Sequence, residues 1–320
     1  MKPFNVFPHD SNFDFMRLRW VSLAIALLLL LVAVGAIAAK GFNFALDFTG
    51  GTVTELRFER PVEVDDVRKR LDDAGYGGAQ VQTFGSGNDL LVRLQPKASG
   101  EPGSNVTQST TQDVQRALAM PDNPVTVLRS EFVGPQIGKE LAINGVWALI
   151  FVVIGFLIYI SFRFEKKFAV AAVITTLHDV VVVSGWFALS GHEFDLTVLA
   201  GVLSVMGFSI NDTIVVFDRI RENFRSMRAD PVTILNKSIN QTLSRTVITS
   251  FIAFLTMLAL YLYGGGSLKG MAESMLIGVV IGTLSSIFVA APLLTLGFMK
   301  ITKQDLLPKA RDEEALARRP

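Results

Sequence analysis

The sequence predicts a polytopic α-helical membrane protein with six transmembrane helices and one small α+β extracytoplasmic domain. Three observations predict it. Half of the 320 residues are hydrophobic, only 18% are charged and the mean hydropathy is +0.42, a balance too apolar for an ordinary soluble domain. Six stretches are long and apolar enough to cross a bilayer, which takes about 20 residues. Between the first and second of these, Gly41 to Lys139 is different in kind: charged, rich in turns and alternating in hydrophobicity. The net charge of +1 gives no global basicity that argues for nucleic acid. The absence of cysteine excludes disulfides and thiolate metal sites without fixing a compartment. His9, His178 and His192 are scattered and give no metal-ligand spacing.

Residues 1–19 form a short polar and aromatic segment. Trp20 opens an uncharged run to Ala39, so 20–39 is the first span. Its Ala36-Ile37-Ala38 end resembles a signal-peptidase site, but the run is longer than the 7–15 residues of a secretory core, and an uncleaved helix is expected. Residues 40–139 make the outer domain. Thr52 to Phe58 alternates with period two, as a half-buried strand does. Val64, Val67, Leu71 and Ala74 share one helical face that Gly75 ends. Ala79–Phe84 and Leu90–Leu94 predict strands around a Gly85–Asn88 turn. Pro96–Ser109 is expected as a loop, Thr111–Met120 as a second helix and Val125–Phe132 as the last strand. Strand-helix-strand-strand-helix-strand is the order of a ferredoxin-like split βαβ unit.

Residues 140–299 hold five further spans: Leu141–Ile160, Phe168–Ser190, Phe194–Phe217, Thr246–Tyr263 and Met271–Met299. Gly278 and Gly282 in the last either let a neighbouring helix approach or reflect the tolerance of glycine in lipid. Pro231–Ser244 is too polar to span, and its partial stripe of Ile234, Leu235, Ile239 and Leu243 is expected to lie along the inner surface. The short loops at Arg163–Lys167 and Arg219–Lys237 and the tail 300–320 are rich in Lys and Arg, whereas the opposite loops carry almost none. The positive-inside rule then places both termini in the cytoplasm and 40–139 in the periplasm.

The chemistry gathers in the run Gly207-Phe208-Ser209-Ile210-Asn211-Asp212-Thr213-Ile214-Val215-Val216-Phe217-Asp218-Arg219-Ile220-Arg221-Glu222-Asn223. Asp212 lies about 9 Å inside the apolar span, counted from Asp218 at 1.5 Å per residue. An ionised carboxylate on a spanning helix costs about 2.5–3.5 kcal/mol at the centre and less near the ends. It therefore needs a partner, a watery cavity or a proton. The alternative is that Asn211 and Asp212 only hydrogen-bond to neighbouring helices. Arg245 opens the fifth span and is long enough to reach inward toward Asp212, although a boundary arginine normally snorkels outward. His178-Asp179 interrupts the third span, either as a second charge-carrying pair or as interhelical hydrogen bonds. Asp218, Arg219, Arg221 and Glu222 are expected as a solvated cluster ending helix four. Gly50-Gly51 lacks the trailing Lys-Ser/Thr of a phosphate loop, so a backbone turn or close packing is the better account.

Leu46–Thr52, His178-Asp179-Val180, Gly207–Asn223, Ser238–Arg245 and Gly282–Pro292 together resemble the SecF family of bacterial protein-export subunits, within the resistance-nodulation-division (RND) superfamily. The resemblance covers nearly the whole chain and implies an RND-type half of six helices. It implies a subunit of the bacterial cytoplasmic (inner) membrane that pairs with SecD and associates with the SecYEG translocon and YajC. It further implies use of the proton-motive force to promote translocation of unfolded preproteins. The family's helix-four aspartate maps onto Asp212 and its helix-five arginine onto Arg245. His178, Asp179 and Asn211 receive no comparable role. No enzymatic activity, metal or organic cofactor is implied; the coupling ion is the proton, and the other contacts are with lipid. An RND exporter of small molecules or lipids would usually need two large outer domains and about twelve helices. An intramembrane aspartyl protease would place Asp179 and Asp212 in a shared-proton pair, but resembles Tyr-Asp and Gly-x-Gly-Asp motifs rather than His-Asp and Asn-Asp.

Overall fold

The computed structural model describes residues 12–77, 79–84, 88–94, 104–120 and 122–302. His9, the expected Gly85–Gly87 turn, the N-terminal residues 1–11 and the tail 303–320 lie outside the described residues. The elements follow in order: α1 (Arg19–Lys40), β1 (Asn43–Phe44), α2 (Leu46–Thr49), β2 (Gly51–Phe58), α3 (Val64–Asp73), β3 (Gln80–Phe84), β4 (Asp89–Leu94), α4 (Ser104–Ala117), β5 (Val125–Val133), α5 (Pro135–Arg163), α6 (Lys166–Ser190), β6 (Glu193–Phe194), α7 (Leu196–Ser226), α8 (Pro231–Tyr263), α9 (Gly266–Ser285) and α10 (Ala291–Leu293). Among the described residues six helices are long and apolar enough to cross a membrane. The chain forms two compact units, one of them Phe44–Ala148.

In that unit the four strands form one sheet in the order β3-β4-β2-β5, with every neighbouring pair antiparallel. Alternation on β2 turns Thr52, Thr54, Leu56 and Phe58 inward, opposite Leu90, Val92 and Leu94 of β4. Val67 and Leu71 of α3, one turn apart, complete the core with Val114 and Leu118. The inward Thr54 is not left bare: its hydroxyl lies 3.2 Å from that of Ser130, which also accepts from Thr111 at 2.8 Å. The second helix departs from expectation. It begins at Ser104, inside the expected loop, and ends at Ala117 rather than Met120. Its Ser- and Thr-rich start has weak helix propensity, which the docking of Val114 and Leu118 overrides. Gly50 and Gly51 both have positive φ, at 69° and 126°, and a Cβ on Gly51 would overlap the Leu94 carbonyl oxygen. The pair is thus a turn and a close approach that side chains forbid.

Arg57 and Asp89 face each other across β2 and β4 in a bidentate pair at 2.7 and 2.9 Å. The hydrogen bond from Arg57 holds the Asp89 carboxyl below the usual carboxylate range. A depressed folded value means that the pair stabilises fully above the unfolded value of about 3.9, and that this contribution disappears as the pH falls through the lower folded one. Asp89→Asn is therefore expected to lower the melting temperature at neutral pH and to flatten its acid dependence below about pH 4. An unchanged acid limb in thermal scans would contradict the assignment.

The other unit is a helical bundle. Packing joins α1 to α6, α6 to α7 and α9, and α7, α8 and α9 to one another. Helix α6 is enclosed along most of its length, from Phe168 to Ala188. Small residues set the closest approaches: a Cβ on Gly185 would overlap Ala33 of α1, and one on Gly278 would overlap Val205 of α7. A Cβ on Gly282 would come within 3.3 Å of the Ser209 Cβ on α7. The close helix contact is thus the function of these glycines, not mere tolerance in lipid.

Several expected boundaries change; the second span, expected at Leu141–Ile160, belongs to a helix running from Pro135 to Arg163, and the last helix starts at Gly266 rather than Met271. Helix α7 does not stop at Phe217 but continues to Ser226, so the charged cluster lies within it. Arg163 pairs with Asp218 at 2.7 Å and Arg221 with Glu165 at 3.1 Å, while Asn223 is buried and donates to Ser238 and Gln241 of α8, both at 2.8 Å. The Pro231–Ser244 stripe is no separate surface helix. It is the first part of α8, capped by Asp230, and Ile234, Leu235, Ile239 and Leu243 share a core with Ile220 and Phe224. The apolar stripe finds protein rather than headgroups. The last span ends near Leu293 rather than Met299: α9 passes through a π-turn at Ser286–Ala290 into α10. Pro292 supplies no backbone N–H to continue the ladder.

Candidate functional site

Four helices supply the polar interior of the bundle. Asp212 on α7 is buried to 3% exposure. Its hydrogen bond is long: Ser250 Oγ of α8 donates to Oδ2 at 3.4 Å. Thr283 Oγ1 of α9 stands behind Ser250 at 2.7 Å. Arg245, one and a half turns before Ser250, stays exposed and among the described residues forms no ion pair with Asp212. The buried hydroxyls of Thr213 and Thr246, chain neighbours of Asp212 and Arg245, have no hydrogen-bond partner among the described residues. A buried polar group left unsatisfied marks an incomplete network.

Asp179 on α6 presents the opposite case. It is fully buried, and Oδ2 accepts from Ser209 of α7 at 2.5 Å and from Ser285 of α9 at 2.6 Å. Its Oδ1 lies 2.9 Å from Nδ1 of His178, whose Nε2 lies 3.2 Å from the Ala26 carbonyl of α1. Asp179 and Asp212 share no hydrogen bond, which leaves no carboxyl dyad of the acid-protease kind. They are joined indirectly. Ser209 and Asp212 are one turn apart on α7, and Thr283 and Ser285 are two residues apart on α9. Asn211 does not join them; it is exposed on α7, like Arg245 on α8.

The structure thus buries Asp212 and the His178–Asp179 pair in the same bundle, with Asp212 one turn beyond the serine that contacts Asp179, and leaves Asn211 and Arg245 exposed in the isolated chain. Sequence reasoning missed Ser209, Ser250, Thr283 and Ser285. Their only signal was a hydroxyl in an apolar span at helical spacing from an acid or a close-packing glycine, Ser209 before Asp212 and Ser285 after Gly282.

A six-span chain whose helical bundle holds two buried carboxyls, each accepting from hydroxyls of neighbouring helices, defines a polytopic membrane protein with a polar interior. The family model "Protein export membrane protein SecD/SecF, C-terminal" matches residues 113–300, and the "SecD/SecF GG Motif" model matches 35–62, around Gly50-Gly51. The chain is 44% identical to the protein translocase subunit SecF of Pseudomonas aeruginosa, over 94% of this chain and 96% of that one. It is 45% identical to SecF of Escherichia coli O157:H7, over 88% of this chain and 86% of that one. The crystal structure of SecDF from Thermus thermophilus superimposes with a TM-score of 0.81 at 39% identity, over 91% of this chain but only 39% of the longer SecDF chain. The chain belongs to the SecD/SecF family of protein-export membrane proteins.

Proposed function

We propose that the chain couples proton movement at Asp212 to protein export, as the SecF-type partner of SecD. As a member of its family it is a multi-pass subunit of the Sec protein-translocation machinery. SecD is its partner, as the single-chain SecDF relative indicates. The reading extends further, to the SecYEG translocon and YajC as associates and to an unfolded preprotein as client. The chain sits in the bacterial inner membrane with both termini cytoplasmic and residues 40–139 periplasmic, where the Lys- and Arg-rich short loops favour the cytoplasmic side. The outer sheet is read as ferredoxin-like. The chain carries no catalytic role and needs no cofactor other than the proton.

One observation carries the reading. Asp212 is almost fully buried and, among the described residues, has one long hydrogen bond, from Ser250, and no ion pair with Arg245. Such a carboxyl is relieved of its charge by taking up a proton or, in its place, by the approach of a cation, so helix movement and protonation are linked. Exposure of Asn211 and Arg245 on apolar helices supports a partner-covered face, because lipid is a poor neighbour for either. Potential-driven translocation of a preprotein into vesicles holding the whole export complex tests the reading. Arg245→Lys is expected to lower that activity about tenfold or more, since a planar fork positions two hydrogen bonds and an ammonium does not. Near-normal export by this variant would mean that positive charge alone suffices.

A further inference from the structure

The surroundings of His178 and Asp179 count the protons the two must hold. A backbone carbonyl only accepts, so the contact with Ala26 requires a hydrogen on His178 Nε2. A neutral imidazole has no second hydrogen to offer. The bond between His178 Nδ1 and Asp179 Oδ1 therefore needs one more proton. That proton sits on the ring, giving imidazolium against carboxylate, or on the carboxyl, giving an acid that donates to a neutral ring. Oδ2 is occupied by two incoming hydroxyls, Ser209 and Ser285, which suits an acceptor and leaves Oδ1 as the place where the proton is shared.

Nothing else nearby answers the charge. Among the described residues no lysine or arginine pairs with Asp179. Of the elements packed on α6, α7 offers Asp212 one turn beyond Ser209, and its next charge is Asp218. Helix α1 carries Arg19 and Lys40 only at its two ends. Helix α9 carries Lys269 and Glu273 near its start, and Glu273 is engaged by Trp186 and His192. The π-turn after α9 has no charge, and the turn at Gly297–Met299 is followed by Lys300. Helix α6 itself has Lys166 and Lys167 at its beginning.

We infer that His178 and Asp179 form a resident proton-holding pair of the membrane domain, separate from Asp212, in which one proton is shared between ring and carboxyl and the pair as a whole is uncharged. The site ties α6 to three helices at once, to α1 through Ala26, to α7 through Ser209 and to α9 through Ser285. Loss of the shared proton leaves a bare carboxylate in an apolar interior, and one of these helices must then move to let it be solvated. His178, Ala26 and Ser285 border a groove of about 270 Å³ between α1 and the end of α9. The π-turn at Ser286–Ala290 follows Ser285 directly and gives α9 a place to change register.

The test uses the full-length chain in lipid vesicles, with 15N-labelled histidine for NMR and infrared difference spectra in H2O and D2O. The expected result is a doubly protonated imidazole or a carboxylic-acid band that Asp179→Asn removes and Asp212→Asn leaves in place. A singly protonated ring, with no acid band sensitive to Asp179→Asn, overturns the inference. Should Asp179→Asn fail to insert, His178→Phe makes Asp179 the sole holder of the proton, and an acid band must then be present; its absence also overturns the inference. Because Asp212→Asn is scored separately, failure here is distinct from failure of the Asp212 reading.

Discussion

Asp212→Asn is expected to leave the protein folded, inserted and bound to its partner while abolishing export driven by the membrane potential. The amide has the shape of the carboxyl and still accepts from Ser250, so the packing between α7, α8 and α9 has no reason to change. Burying a neutral amide costs less than burying an anion, so stability is expected to hold or to rise. What the amide does not do is titrate. One proton crossing the membrane supplies about 2.3 kcal/mol per 100 mV, which shifts a two-state equilibrium roughly 40-fold. Without a titrating group that bias has no point of application. The measurement is preprotein translocation into vesicles with and without an imposed potential. An Asp212→Asn complex that still responds to the potential would remove the role assigned to this residue.

Gly278→Ala is expected to destabilise the bundle by about 1–3 kcal/mol, the usual cost of overpacking. The added methyl would overlap both γ-carbons of Val205, a stiff β-branched neighbour that has little room to turn aside. Val205 lies one turn before Ser209, and Asp212 one turn after it, so forcing α7 and α9 apart also loosens the contacts of both acids. The double variant Gly278→Ala with Val205→Ala should recover much of the loss, because the second change clears the volume that the first one fills. Unfolding in detergent micelles by heat or denaturant reads both numbers. Strict additivity of the two substitutions would show that the glycine serves some purpose other than close approach to Val205.

The two buried acids explain each other. Asp179 has its oxygens filled by a histidine and two serines, whereas among the described residues Asp212 has a single stretched contact and, next to it in the chain, the unpartnered hydroxyl of Thr213. A carboxyl whose partners are all in place resists change; one with a single stretched contact is freer to exchange proton for cation as the helices shift. This contrast suits the proposed roles, a moving Asp212 and a holding Asp179, whose Ser209 contact lies about one helical turn from Asp212 along α7.

Much of the architecture was legible before any coordinates, because lipid imposes length and composition on each span: Trp20–Ala39 has no alternative to a helix that crosses. Thr52 to Phe58 was legible for the opposite reason, since a sheet with one wet face must alternate. Asp212, Arg245, His178 and Asp179 stood out because an ionisable group in an apolar run is too costly to be incidental. The sequence did not tell which helices meet. In hydrocarbon every face of a span is apolar, so periodicity carries little information about the buried side, and Ser209, Ser250, Thr283 and Ser285 read as ordinary tolerated hydroxyls. The same ambiguity hid the outward turn of Asn211 and the continuity of α8 from Pro231, whose stripe suits a membrane surface and a helix neighbour equally. Cost per residue is a local property, and the chain itself discloses it; partnership across helices is a property of packing, and only the folded bundle decides it.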